Sequence, residues 1–144
     1  MRVVNVIDVT RLESPSRNEH GLDDRDYDRL FPPGVPTIFA FHGYPSLVHQ
    51  LTYRRHHHRD LHVHGFQERG STTTPFDMAV RNQIDRFHLA IAAAEHQPIE
   101  RRRGVEPMIS EWRRTLSEHD RYVREYGVDM DTISEWNYRR KTSS

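Results

Sequence analysis

The sequence predicts an α/β domain with a mostly parallel sheet covered by helices on both faces. Three observations carry that prediction. Short runs rich in β-branched and aromatic residues, at residues 2–9, 37–41 and 61–67, are bounded by Pro, Gly and polar turns. Stretches with apolar residues at intervals of three and four follow or separate them, as amphipathic helices do. The resulting order is strand, helix, strand, helix, strand, helix, helix. It requires crossovers, which are right-handed, and hence a parallel or mixed sheet.

Residues 2–9 read as the first strand, because Val3, Val4, Val6, Ile7 and Val9 are interrupted only by Asn5 and Asp8. A buried strand starting at Arg2 must be an edge or pair with a segment ahead of it. An uncovered apolar edge predicts that the isolated chain is oligomeric or poorly stable. Residues 10–21 are a polar loop. Residues 22–31 form a brief helix with Asp23 or Asp24 as cap, Tyr27, Leu30 and Phe31 on one side, and Pro32 and Pro33 as its stop. The second strand, 37–41, runs into a turn of His42, Gly43, Tyr44 and Pro45. A helix over 45–55 follows, with Leu47, Val48, Leu51 and Tyr53 at helical spacing.

The third strand, 61–67, turns His62, His64 and Phe66 to one face and Leu61, Val63 and Gly65 to the other. Thr74 then caps the longest helix, 75–97, with Pro75 at its first position and Asp77 at its third. Its apolar positions are Phe76, Val80, Ile84, Phe87, Ile91 and Ala94, and Pro98 ends it. Arg101, Arg102 and Arg103 read as a linker. A second long helix over 106–126 carries a narrow seam of Ile109, Trp112, Leu116, Val123 and Tyr126, with Gly127 as its C-terminal cap. Asp131 starts a last helical turn bearing Ile133 and Trp136, before the polar tail. The whole is one domain over 1–144, with an α/β part over about 1–97 and a helical extension over about 105–138.

Composition narrows the function. Of the 144 residues, 35% are hydrophobic and 29% charged, and 21 basic residues balance 21 acidic ones, so no net field draws the chain to nucleic acid or an anionic membrane. No apolar run is long enough to span a bilayer. The absence of cysteine excludes disulfides and thiolate metal sites and fits a cytoplasmic protein. No nucleophile-elbow or phosphate-loop motif is present.

Candidate site residues come from two turns. His42, Gly43 and Tyr44 follow a strand, at the carboxyl edge where open sheets collect ligands, and His64 belongs to the neighbouring strand. Thr73 and Thr74 belong to a Gly-Ser-Thr-Thr-Thr-Pro turn that opens a helix, suited by its N–H groups and hydroxyls to a phosphate or carboxylate. Both turns lie close behind strands and are expected near one rim of the sheet. Seven of the 11 histidines fall between His42 and His64. Without carboxylates at a recurring ligand spacing, they are expected to bind a transition metal only adventitiously. The basic runs 54–59 and 101–103 lack the aromatic interleaving of a single-strand binder. They read as solvated surface or as contacts to acidic groups of a partner.

The residues also resemble a family. Phe-His-Gly-Tyr-Pro (41–45), Leu-Thr-Tyr-Arg-Arg (51–55), His-Val-His-Gly-Phe (62–66), Gly-Ser-Thr-Thr-Thr-Pro-Phe-Asp-Met (70–78), and Asn82 with Asp85, Arg86, Phe87 and His88 are similar to the C-terminal domain of phosphoketolases. The opening residues and the segment 21–31 match as well, so the resemblance is collinear over almost the whole chain. It implies a transketolase C-terminal-like three-layer fold, truncated at its N-terminus by a strand and a helix. It also implies a parent enzyme related to transketolase, an aldehyde-lyase of carbohydrate metabolism. Such an enzyme cleaves xylulose 5-phosphate, and often fructose 6-phosphate, with phosphate to acetyl phosphate and an aldose phosphate. In the family, thiamine diphosphate and magnesium are held by two preceding domains across a homodimer interface, and their motifs have no counterpart here. The implied role is therefore non-catalytic: support of the dimer, with His42, Gly43, Tyr44, His64, Thr73 and Thr74 as candidates to approach the interface or a substrate phosphate. The alternative is a free-standing regulatory module that binds an anion without catalysis.

Overall fold

The computed structural model describes residues 2–68, 70 and 72–137, and it separates into two compact units, Met1–Gln67 and Glu68–Ser144. The first unit contains α1 (Asp24–Leu30), β1 (Thr37–Phe41), α2 (Pro45–Thr52) and β2 (Leu61–Gly65), with 3-10 turns at Val9–Leu12 and His58–Asp60. The second contains α3 (Pro75–Arg81), α4 (Arg86–Glu95), α5 (Ile99–Tyr126) and α6 (Asp131–Ser134).

In the first unit, β1 and β2 pair in parallel with Phe39 opposite Val63, and α2 is the crossover between them. The alternation of each strand sets the core. Phe39 and Leu61 point inward and join Leu12, Tyr27 and Val48 in one buried cluster. The opposite face carries Ile38, Ala40, His42, His62, His64 and Phe66, all exposed or half-buried. Asp23 caps α1 by accepting from the Asp26 N–H at 2.7 Å, as its acidic side chain predicts.

Arg55 holds this unit together from inside. Its guanidinium is buried beneath the Tyr27 ring, 4.5 Å from the centroid. Nε donates to the Leu12 carbonyl at 2.9 Å, Nη2 to those of Glu13 and Leu22 at 2.7 and 2.6 Å, and Nη1 to the Asp24 carboxylate at 2.7 Å. One planar fork thus satisfies three backbone acceptors and a carboxylate from the loop and helix that precede the sheet. The expectation of a solvated basic run at 54–59 is overturned at Arg55. Burial of Tyr27 pushes its phenol up to about 12.

Residues 2–9 do not form the expected strand. Strand propensity needs a partner ladder, and among the described residues none lies beside this segment. Val4, Val6 and Val9 are half-buried while Val3 and Ile7 remain exposed. Asp8 instead starts the 3-10 turn by accepting from the Thr10 N–H at 2.9 Å and its hydroxyl at 2.7 Å, bonds that hold the Asp8 carboxyl below its ordinary range. The premise of a bare edge strand at 2–9 falls with the strand. Among the described residues the sheet has two strands where three were expected.

In the second unit, the expected single helix over 75–97 is two. Gln83 adopts a left-handed backbone (φ 57°), and Asp85 caps α4 by accepting from the Phe87 and His88 N–H groups at 2.9 and 3.2 Å. Conversely, the expected linker at 101–103 lies inside α5, which runs for 28 residues from Ile99. Pro107 removes one intrahelical hydrogen bond without ending the helix, and Gly127 closes it with φ 70°. The buried positions of α5 are Ile109, His119 and Val123; Tyr126, placed on the seam by periodicity, is 58% exposed and packs on Tyr122.

Asp85 is 3% exposed and also bonds the His88 Nδ1. Burial raises its carboxyl, but the bonds from the His88 side chain and the two N–H groups outweigh it, and the net shift is downward from 3.8. A carboxyl whose folded value is depressed stabilises the fold above its unfolded value and loses that contribution as pH falls through the folded one. Asp85→Asn is therefore expected to melt well below the wild type at pH 7. The gap should shrink steadily below about pH 4; thermal denaturation of both proteins between pH 7 and pH 2.5 measures it, and a constant gap would contradict the assignment.

Candidate functional site

The carboxyl edge of the β1–β2 pair is built by close backbone approach. Phe66 donates its N–H to the Gly43 carbonyl at 2.9 Å, and Gly43 donates to Phe41 at the same distance. A Cβ on Gly65 would lie 2.5 Å from the Gly43 carbonyl oxygen and 2.5 Å from the Pro45 ring, so glycine is required there for the two strand ends to meet. A Cβ on Gly43 would meet the Phe41 ring at 2.5 Å. The His42 imidazole, on the face away from the core, stacks on Phe66 with ring centroids 4.6 Å apart. Tyr44, 59% exposed, precedes Pro45 at the start of α2 and makes no side-chain cap.

The structure therefore brings His42, Gly43 and Tyr44 to one sheet edge. It sets His64 on the same face as His42, opposite Ala40 in the parallel register. Chemically, this edge offers an exposed phenol and an imidazole whose ring is oriented by an aromatic neighbour.

Thr73 and Thr74 belong to the second unit, and their hydroxyls are engaged within it. Thr74 accepts from the Asp77 N–H at 3.1 Å and donates to Asp129 at 2.5 Å, while Thr73 donates to Asp77 at 2.7 Å. Asp77 is 2% exposed and takes a further bond from Arg81 at 2.7 Å. Burial raises its carboxyl, yet the Thr73 and Arg81 bonds leave it below its ordinary range. Beside it, His119 is fully buried with Phe76 edge-on at 5.2 Å. Its Nε2 is 3.4 Å from Asp129 without hydrogen-bond geometry, and neither ring nitrogen has a hydrogen-bond partner. The turn at 72–74 is thus tied into a buried polar network of its own unit.

Two features of the second unit escaped the sequence reading. His119 continues the spacing of Ile109, Trp112 and Leu116 on α5, a signal that was available but masked by its polarity. The Arg86 guanidinium lies 4.9, 4.7 and 4.6 Å from the rings of Phe76, Phe87 and Trp136, a convergence from three segments that no local pattern reveals. Burial lowers the Arg86 value.

A parallel β–α–β unit with a glycine-built carboxyl edge, followed by a helical unit, defines a mixed α/β domain. The chain belongs to the XFP C-terminal domain family, whose model matches residues 1–138. Among curated relatives, it is 50% identical over 140 residues to "Probable phosphoketolase 2" of Rhizobium meliloti, covering 96% of this chain and 18% of that protein. It is 52% identical over 136 residues to "Probable phosphoketolase" of Bradyrhizobium diazoefficiens, covering 94% and 17%. With the "Probable phosphoketolase" of Gloeobacter violaceus it shares 46% identity over 138 residues, covering 94% and 17%. The chain thus spans under a fifth of the length of these relatives.

Proposed function

We propose that this chain serves as the C-terminal domain of a phosphoketolase. In this reading the whole enzyme is a cytoplasmic aldehyde-lyase that cleaves xylulose 5-phosphate, and in many members fructose 6-phosphate, with phosphate to acetyl phosphate and an aldose phosphate. The observation that carries the reading is identity spread along the chain, 50% over 140 residues with a relative bearing that name, rather than a motif confined to one turn. Absence of a helix long and apolar enough to cross a membrane, among the described residues, agrees with it.

The domain's part is structural: completion of a transketolase-like three-layer fold and support of the homodimer, without catalysis of its own. Thiamine diphosphate, when bound, supplies the chemistry that breaks the sugar's carbon–carbon bond. Among the described residues no three His, Cys, Asp or Glu side chains are grouped to hold a metal ion. The reading places cofactor and metal in the domains that precede this one and assigns no step of the reaction to this chain. His42, Tyr44 and His64, at the sheet edge and on its open face, are the residues it sets against those domains.

The test exchanges this chain for the matching domain of the Bradyrhizobium relative and compares the hybrid with that enzyme cut before the domain. Light scattering is expected to find the hybrid dimeric and the cut enzyme dissociated or aggregated. Identical association states would overturn the supporting role.

A further inference from the structure

The geometry points to a binding site for a hydroxylated phosphate monoester in the groove between the end of α2 and the 3-10 turn His58–Asp60, with Arg54 and Arg59 as the phosphate-binding groups and His58 as acceptor from a ligand hydroxyl. The groove measures about 710 Å³ and is walled by Tyr53, Arg54, His57, His58, Arg59 and Asp60, a size within the range of small-molecule sites. It lies apart from the sheet edge described above, and the inference does not rest on the function proposed for the domain.

Arginines of the first unit are mostly engaged. Arg2 and Arg11 bond the carbonyls of Leu30 and His20, Arg17 and Arg29 pair with Glu13 and Asp26, and Arg55 is consumed internally. Among the described residues Arg25, Arg54 and Arg59 have no hydrogen bond or ion pair, and two of these three border the groove. The one carboxylate in its wall, Asp60, already accepts from the Gly34 N–H at 2.7 Å and has the His57 Nδ1 at 3.8 Å. Two exposed arginines thus border the groove with one engaged carboxylate, and guanidinium forks match phosphate oxygens.

His58 enters in a defined tautomer. The Thr52 hydroxyl is fully buried and donates its proton to the Val48 carbonyl at 2.7 Å. At the His58 Nδ1, 3.2 Å away, it can only accept. The neutral ring therefore carries its proton on Nδ1 and leaves the Nε2 lone pair to receive a hydroxyl proton. A ligand held by its phosphate at the arginines can offer this lone pair a hydroxyl of its carbon skeleton, which inorganic phosphate lacks. The carbonyl end of α2 opposes an anion by a factor of about two to five. One of its carbonyls, Thr52, is already taken by the Arg55 N–H at 2.9 Å. Each exposed guanidinium contributes about two- to fivefold to holding a phosphate, so the two together outweigh the helix end.

Calorimetric titration of the full 144-residue chain with glycerol 3-phosphate, and in parallel with inorganic phosphate, tests this. Glycerol 3-phosphate is expected to bind with one-to-one saturation and more tightly than phosphate. Arg54→Gln and Arg59→Gln should each weaken it about two- to fivefold, and the double variant about tenfold. Arg25→Gln, which removes an equally exposed and unpaired charge elsewhere on the unit, should leave it unchanged. His58→Phe should reduce glycerol 3-phosphate to the affinity of inorganic phosphate. Unsaturable heats, full binding in the Arg54→Gln/Arg59→Gln double variant, or an equal loss in Arg25→Gln would overturn the site. Because Arg54 and Arg59 are exposed, matching thermal melts are expected to confirm that the variants fold.

Discussion

Arg55→Ala is expected to cost the first unit about 3–5 kcal/mol, the range for breaking a buried charged network. Truncation leaves the carbonyls of Leu12, Glu13 and Leu22 without their donor and opens space beneath Tyr27. Arg55→Lys should recover less than half of the loss, because an ammonium restores the charge but not the fork that reaches three carbonyls and Asp24 together. Denaturant titration followed by tyrosine fluorescence measures both. A loss below about 1 kcal/mol for Arg55→Ala would place it with ordinary surface arginines, against its 5% exposure.

Gly65→Ala is the second large effect. Its Cβ would meet backbone, the Gly43 carbonyl oxygen at 2.5 Å, together with a Pro45 ring that cannot swing away. Strand separation at the carboxyl edge should cost about 2–3 kcal/mol, within the range for overpacking. Gly43→Ala meets only the Phe41 ring, which can turn, so about 1 kcal/mol is expected there. The order of the two losses is the decisive result. If Gly43→Ala were the more damaging, the close approach of the strand ends would not govern this edge.

Local chemistry made some elements legible. β1, α2 and β2 could be read because β-branched runs stop at Gly or Pro and because Pro45 suits a helix start; β2 ends two residues before the expected Gln67. Thr74, Asp23 and Gly127 announced their caps by residue type. Where a competing interaction decides, the same reasoning failed. Residues 2–9 have strand propensity but, among the described residues, no partner ladder. The break between α3 and α4 follows from Asp85 turning its side chain to the backbone, which outweighs the apolar spacing that runs through it. Arg101, Arg102 and Arg103 are helical despite Gly104 and Pro107 nearby, because the 28-residue helix tolerates both.

The candidate site was legible as positions rather than as contacts. His42, Gly43 and Tyr44 were expected at a strand end, and they stand at the carboxyl edge of β1. The Phe66 stack on His42 joins residues 24 apart in sequence and is visible only in three dimensions. Thr73 and Thr74 were expected to offer hydroxyls to an anion, but Asp77 and Asp129 take them. Burial of Arg55 within a basic run could not be foreseen, since its four acceptors lie 31 to 43 residues away.

The central claim, that these residues are a working phosphoketolase C-terminal domain, is tested most directly by acetyl phosphate formation in the hybrid enzyme. With xylulose 5-phosphate, phosphate, thiamine diphosphate and magnesium supplied, the hybrid carrying this chain is expected to form acetyl phosphate at a rate within tenfold of the Bradyrhizobium parent, while the enzyme cut before the domain forms none. A hybrid as inactive as the cut enzyme, although dimeric and folded, would contradict the claim and favour a separate, non-catalytic role for the chain.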